Sequence, residues 1–258
     1  MNVLIVLAHP EPQSFNGALA RAAKETFLSQ GNAVRTSDLY ARGFDPDEHA
    51  RHFVQRKNPE RFDAQTEQRF NAERETLPGD VGREIDDVLW ADLVLLQFPL
   101  WWFGMPAILK GWMDRVFAYG ALYSGSRRFD AGVCRGKRAM LSVTAGSSAQ
   151  DCAHDGQEGD TGLILWPIHY ALHYVGFTVL EPRLITGVRG GHAGADTTIQ
   201  DRYLDTQLQA YRTRLAKLDG IPVMPFNSAD DWDERRKLKP GAPVYSPFIR
   251  HHAGLQLD

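Results

Sequence analysis

Three short groups of residues in this 258-residue chain have the types and spacing to hold a flat, polar-edged ligand. The first is His9-Pro-Glu-Pro-Gln-Ser-Phe-Asn16, which follows the apolar run Asn2 to Ala8. Its two prolines keep it out of helix, and Ser14 or Asn16 can cap a helix from about Gly17 to Ser29. That order turns free backbone amides and the positive end of a helix dipole towards an anion. Ser14 and Asn16 then either donate to a phosphate or serve only as caps. The second group is Pro99-Leu-Trp-Trp-Phe-Gly104. Three consecutive aromatics, Trp101, Trp102 and Phe103, cannot all point inward from one loop, so at least one stays near the surface, where it needs a partner. A flat, partly apolar ring suits such a loop, with backbone amides for its polar edge; the alternative is an aromatic core cluster. The third group is Thr144-Ala-Gly-Ser-Ser148, whose small residues either let backbone approach a ligand closely or form a plain strand-end turn.

The elements that must position these groups follow from hydrophobic period. Asn2 to Ala8, Leu93 to Phe98 and Lys137 to Val143 are short continuous apolar runs, as in strands of a parallel sheet buried on both faces. Ala33 to Leu39 reads as a strand after the turn Gln30-Gly-Asn32, and Phe177 to Leu180 and onward as a fifth. Helical spacing runs from Ala107 to Tyr119, from Leu163 to Tyr174, with Pro167 inside, and from Thr198 to Leu218. Tyr40 to Gly79 reads as a loop excursion with short helical pieces, and Asp151 to Asp160 as a mobile polar flap. Strands alternating with helices predict an α/β, doubly wound, five-stranded parallel sheet. In the order 2-1-3-4-5 the loops after strands 1, 3 and 4, which are the three groups above, meet at one edge. Residues 1–220 form this domain; residues 221–258, broken by five prolines, are an irregular C-terminal tail that wraps the domain or a neighbouring subunit.

Composition excludes several classes. A net charge of -3 gives no reason to expect nucleic acid or an anionic membrane as partner. Two cysteines, Cys134 and Cys152, make neither a disulfide framework nor a metal pattern. The N-terminal run is too short to span a bilayer and lacks a basic flank, so no membrane insertion and a cytoplasmic protein are expected. Neither GxGxxG nor GxxxxGK[ST] occurs.

His9 to Leu19, Phe98 to Trp112, and Ile164-Leu-Trp-Pro-Ile168 with Val175-Gly-Phe177 together resemble the NAD(P)H:quinone oxidoreductase family, the DT-diaphorase-like flavoproteins. The resemblance covers roughly Asn2 to Leu218 and implies a flavodoxin-like homodimer. It implies non-covalent FAD, rather than FMN, and two-electron reduction of quinones by NADH or NADPH in a ping-pong scheme. Carried over, His9, Phe15 and Asn16 match pyrophosphate-side positions. Pro99, Leu100, Trp101, Trp102 and Phe103 match the loop against the flavin ring, and Thr144, Ala145, Gly146 and Ser147 the second ring-edge loop. Trp102 and Phe103 then also face the substrate, and Tyr123 matches a residue that closes over it, often from the other subunit.

One departure bears on chemistry. Family members of the mammalian type carry a tyrosine and, six residues later, a histidine proposed to move a proton; here Cys152 and Glu158 stand at those positions. His154 lies between them, and a glutamine that approaches the flavin in some members falls near Asp63. The change motivates an alternative acceptor, an azo or nitroaromatic compound or a specialised quinone-like metabolite. A further alternative is a regulatory flavoprotein subunit of a transport system, as in ancillary subunits of potassium efflux systems.

Overall fold

The computed structural model describes residues 1–189 and 197–251. The sheet begins with β1 (Asn2–Leu7), whose alternate residues feed two cores. Val3, Ile5 and Leu7 point to one face, and Leu4 and Val6 to the other. This two-sided burial is the physical reason the run has no polar alternation. Strand β2 (Ala33–Asp38) lies on one side of β1, and β3 (Leu93–Pro99) and β4 (Arg138–Thr144) follow on the other, all parallel. The order is β2-β1-β3-β4-β5, as the chain's pattern predicts.

The fifth strand departs from expectation. It is two pieces, β5 (Thr178–Val179) and β6 (Arg183–Ile185), both parallel to β4, so the sheet has six strands. Glu181-Pro182 separates them: Pro182 has no N–H for the ladder, and the Glu181 N–H donates instead to the Pro222 carbonyl at 2.9 Å.

Helices α1 (Phe15–Ser29) and α6 (Thr197–Ala216) cover one face, burying Leu19, Phe27, Tyr211 and Leu215 against Ile5 and Leu95. Helices α3 (Gly79–Trp90), α4 (Ala107–Val116) and α5 (Thr161–Tyr174) cover the other, with Val88, Leu109, Trp112 and Leu172 against Val94, Leu96 and Leu141. Within the excursion before α3 lies a short helix, α2 (Ala64–Ala72). The fully buried Trp112 donates its indole N–H to Glu84 at 2.8 Å. Glu84 also accepts from Ser37 and from Arg42, so this buried carboxylate joins α4, β2 and the following turn.

The tail packs on its own domain. Met224 N donates to Val179 O at 2.9 Å, and Ala229 N to Asp130 at 2.6 Å. Phe226 stacks on His173 of α5 at 4.4 Å and 6°. Residues 190–196, within the glycine-rich stretch Gly187 to Gly194 expected as a flexible loop and the two residues after it, lie outside the described residues, as do the tail's residues 252–258.

Candidate active site

The site is set by where β3 and β4 stop. Their register runs from Leu93 opposite Arg138 to Pro99 opposite Thr144, and Leu100 N then donates to Thr144 O at 2.7 Å. Pro99 is buried at the end of β3, where its missing N–H costs no ladder bond. The chain then reverses within four residues. Trp101 N donates to Gly104 O at 2.9 Å, and Gly104 N to Trp101 O at 3.0 Å. The two central residues, Trp102 (φ 50) and Phe103 (φ 58), are both left-handed. Glycine and asparagine take that conformation readily, and bulky residues at a cost of about 1–2 kcal/mol each. Large aromatics held there point to function rather than packing. Trp102 is 96% exposed and Phe103 57%. Trp101 turns the other way, towards the ring of His9 at 6.0 Å and 56°.

Beneath the turn lies a buried polar floor. Asn16, in the first turn of α1, donates through Nδ2 to Thr144 Oγ1 at 2.9 Å and accepts through Oδ1 from Gln97 Nε2 at 2.8 Å. All three residues are 3% exposed or less. The side chain of Asn16 thus ties together the ends of β3, β4 and α1, and what it leaves to a ligand is backbone. Ser14 is the N-cap of α1, its Oγ accepting from Gly17 N at 3.1 Å. His9 Nδ1 accepts from Glu11 N at 3.0 Å, which leaves Nε2 as the ring's donor. Phe15 is half-buried against the α1 side of the core.

Above the floor is a cavity of 230 Å³. Leu100, Trp102 and Phe103 line one side and Ala145, Gly146 and Ser147 the other; Cys152, Glu158, Thr161 and Ile164 complete it. Among the described residues, the backbone N–H groups of Trp102, Phe103, Gly146 and Ser147 donate to nothing within the chain. Four unclaimed donors around a flat apolar slot suit the polar edge of a ring such as a flavin's. Of the sequence-derived residues, the structure brings Leu100, Trp102, Phe103, Ala145, Gly146, Ser147, Cys152 and Glu158 to this one cavity. His9 and Trp101 lie together beside it, and Thr144 and Asn16 do not line it but support it from beneath, Thr144 standing next to Ala145 in the chain.

The segment expected as a mobile flap is laced to itself. Glu158 N donates to Asp151 O at 2.9 Å, Gly159 N to Gly156 O at 3.0 Å, and Thr161 Oγ1 to Cys152 O at 3.0 Å. Ser148 Oγ donates to Asp151 at 2.7 Å, and that hydroxyl holds the Asp151 carboxyl below the usual range. Gly156 rests on two carbonyls: an added Cβ would stand 2.2 Å from Gln150 O and 2.4 Å from Asp151 O. Cys152 is buried, whereas the His154 side chain is 83% exposed and outside the cavity, with Asp155 at 3.9 Å.

Tyr123 is not in this cavity. It lines a second one of 490 Å³ between α4 and α5, with Met105, Met113, Phe117, Pro167 and Tyr174. Its ring meets Tyr119 edge-on at 5.3 Å, and its hydroxyl accepts from Gln65 Nε2 at 3.2 Å. Burial pushes its phenol up. Asp63 caps α2 through Thr66 N at 2.8 Å. Three residues lie outside the sequence-derived site set: Ile164, quoted only within a resemblance motif, Gln97 and Thr161. Gln97 carried a signal, as a polar side chain inside a fully buried apolar run; Thr161 carried none, being set by the Asp160 cap that starts α5.

The sheet order and a ligand-sized slot at the strands' carboxyl ends define a flavodoxin-like α/β protein. A family model described as flavodoxin-like fold matches residues 1–210. The ribosyldihydronicotinamide dehydrogenase [quinone] of Mus musculus is 43% identical over 188 residues, 72% of this chain and 81% of that protein. The NAD(P)H dehydrogenase [quinone] 1 of Cavia porcellus is 43% identical over 201 residues, 75% of this chain and 70% of that protein. A solved structure titled as a putative quinone reductase from Klebsiella pneumoniae superposes with a TM-score of 0.82 at 35% identity, covering 93% of this chain and 94% of that one. The chain belongs to the flavodoxin-like fold family, within the NAD(P)H:quinone oxidoreductases that its motifs resemble.

Proposed function

We propose that this protein is an NAD(P)H dehydrogenase (quinone), a flavoenzyme that reduces quinones by two electrons. The observation that carries the reading is the slot between the left-handed Trp102–Phe103 turn and the Ala145–Ser147 loop, with four unclaimed N–H donors at its rim. When bound, the flavin supplies the hydride chemistry, accepting hydride from NADPH or NADH and passing it to the quinone. Leu100, Trp102 and Phe103 form the flat wall against which the ring lies. The amides of Trp102, Phe103, Gly146 and Ser147 donate to the ring's polar edges and favour charge that develops there. Reductant and quinone take the same face of the slot in turn, which makes the reaction ping-pong.

We favour FAD over FMN. The α1 N-terminus presents first-turn amides of Phe15 and Asn16, and His9 Nε2 stands free to donate, a set suited to a pyrophosphate. The Tyr123 cavity supports a homodimer: the groove between α4 and α5 offers apolar surface to a second copy, and the family resemblance matches Tyr123 to a residue that closes over the substrate, often from the other subunit. We also propose a flavin domain over residues 1–220 with an accessory tail over residues 221–258. Two free, buried thiols, Cys134 and Cys152, suit the cytoplasm. No helix among the described residues is long and apolar enough to cross a membrane.

The test is an absorbance spectrum of the purified protein, with the flavin released and identified by chromatography. Stoichiometric FAD, bleached by NADPH and recoloured by a simple quinone, is the expected result. Protein that takes up neither FAD nor FMN would overturn the reading. Sedimentation at micromolar concentration tests the dimer.

A further inference from the structure

Glu158 is the one charged residue among those that line the slot. Its carboxylate forms no hydrogen bond and no ion pair with any described residue, although its own backbone is tied at 2.9 Å to Asp151 O. No described cation forms an ion pair with it. Asp151 is engaged by Ser148, and Arg189 acts on Asp151; His154 points to solvent beside Asp155. The neighbouring lining groups offer no counter-charge either. The Thr161 hydroxyl is spent on the Cys152 carbonyl, and the Cys152 thiol is a weak donor. A lone carboxylate on a cross-tied loop, at the rim of a flat apolar slot, favours a positive charge or a hydrogen-bond donor and repels an anion.

We propose that Glu158 is a specificity-determining residue, selecting planar acceptors that carry a cationic or hydrogen-bond-donating substituent at the ring edge and disfavouring anionic ones. Amino-, hydroxy- or ammonium-substituted quinones are the favoured class, and sulfonated or carboxylated quinones the disfavoured one. This rests on the quinone-reductase reading and names the kind of quinone it takes. Because the slot is open to water on one side, screening limits the effect to roughly tenfold per unit of substituent charge.

The experiment uses the flavin-loaded protein and two planar probes that cannot be reduced, 2-naphthalenesulfonate and (2-naphthyl)trimethylammonium. Their dissociation constants are read from quenching of tryptophan fluorescence, to which the exposed Trp102 contributes. The same ratio is then taken as kcat/KM for a sulfonated and a trimethylammonium naphthoquinone. Glu158→Gln is expected to move both cation-to-anion ratios roughly tenfold towards the anion, and Glu158→Lys to move them further. Asp155→Asn removes one charge from the same loop but outside the slot, and is expected to leave the ratios alone. Ratios unmoved by Glu158→Gln and Glu158→Lys, or moved as much by Asp155→Asn, overturn the inference. The outcomes separate from those of the parent reading: flavin bleaching by NADPH and turnover of an uncharged quinone test that reading alone, whatever the ratios do.

Discussion

The floor and the wall of the slot are built on opposite principles. The floor, Asn16 with Gln97 and Thr144, is polar, buried and bonded almost entirely to itself; Gln97 Oε1 alone lacks a partner among the described residues. The wall, Trp102 and Phe103, is aromatic, exposed and held in a backbone conformation that disfavours such residues. Buried polar groups that satisfy each other fix geometry, because losing one leaves the others dry and unpaired. Exposed aromatics on a left-handed turn do the reverse: they cost the free protein and return that cost when a ligand covers them. Changes to the floor should therefore act through stability, and changes to the wall through binding.

Asn16→Leu is the strongest attack on the floor. It strands Gln97 Nε2 and Thr144 Oγ1 in a site buried from solvent. The expected loss is about 3 kcal/mol of unfolding free energy in flavin-free protein, read from urea denaturation. A loss within the ordinary surface range, about 0.5 kcal/mol, would mean that the floor is incidental.

That contrast explains what the sequence made legible. Strand and helix positions were readable because apolar period states them directly: Val3, Ile5 and Leu7 against Leu4 and Val6 is a two-faced strand. The strand order came from the doubly wound pattern, not from period. The wall was readable because Trp101-Trp102-Phe103 is too large a cluster to hide in one loop. The floor was not. Asn16 as a phosphate donor and Asn16 as an internal strut use the same side chain, and only its meeting with Thr144, 128 positions further along the chain, decides between them. The split of the fifth strand at Glu181-Pro182 rests on where the tail lies, and the Tyr123 cavity on contacts between α4 and α5; neither is local. The bonds that lace Asp151 to Asp160 were hidden for a related reason, since a polar glycine-bearing segment looks alike whether its carbonyls face water or one another.

The loop below the slot offers an intermediate case. In Gly156→Ala the new Cβ meets backbone rather than a flexible side chain, so Gln150 and Asp151 must move. About 2 kcal/mol of local stability is expected to go. Amide hydrogen exchange should show it first at Glu158 and Gly159, whose N–H bonds cross the loop. Unchanged protection there would mean that the loop tolerates the shift and that Glu158 is not fixed by its backbone.

A buried polar group without adequate partners should respond with the opposite sign to Asn16. Glu48 is such a group: its Oε1 is buried and unpaired, Arg115 stands 3.8 Å from Oε2, and burial pushes its carboxyl up from 4.5 to about 7. Below about pH 4.5 both folded and unfolded chains hold the proton, and the carboxyl carries no ionisation penalty. Between there and about pH 7 the unfolded chain ionises first, so stability falls as pH rises. Above that the penalty is complete. Glu48→Gln is expected to stabilise the protein by about 1–2 kcal/mol at pH 8, after the lost attraction to Arg115 is counted, and by much less at pH 4. Denaturation of both proteins at the two pH values checks this. A variant that is less stable at pH 8 would show that the Arg115 pair outweighs the burial.

The smallest free-energy change tests the wall. Phe103→Gly removes a side chain that is 57% exposed and places a glycine at φ 58, where glycine is at ease. Against that relief stands the greater entropy of a glycine in the unfolded chain, so the net gain is at most about 1 kcal/mol in the flavin-free protein. The same change takes away one flat face of the slot. Flavin retention through gel filtration and the dissociation constant for added FAD should both weaken, by roughly tenfold if the lost ring buries about as much surface as one aromatic contact is worth. The two readings must move apart for the contrast to hold: flavin-free stability equal or higher, flavin affinity lower. If the apoprotein instead loses stability, the turn is part of the packed core and its left-handed backbone has another cause. If stability rises and flavin affinity is unchanged, the ring is held by Trp102 and the backbone amides alone, and Phe103 faces only the reductant and the quinone.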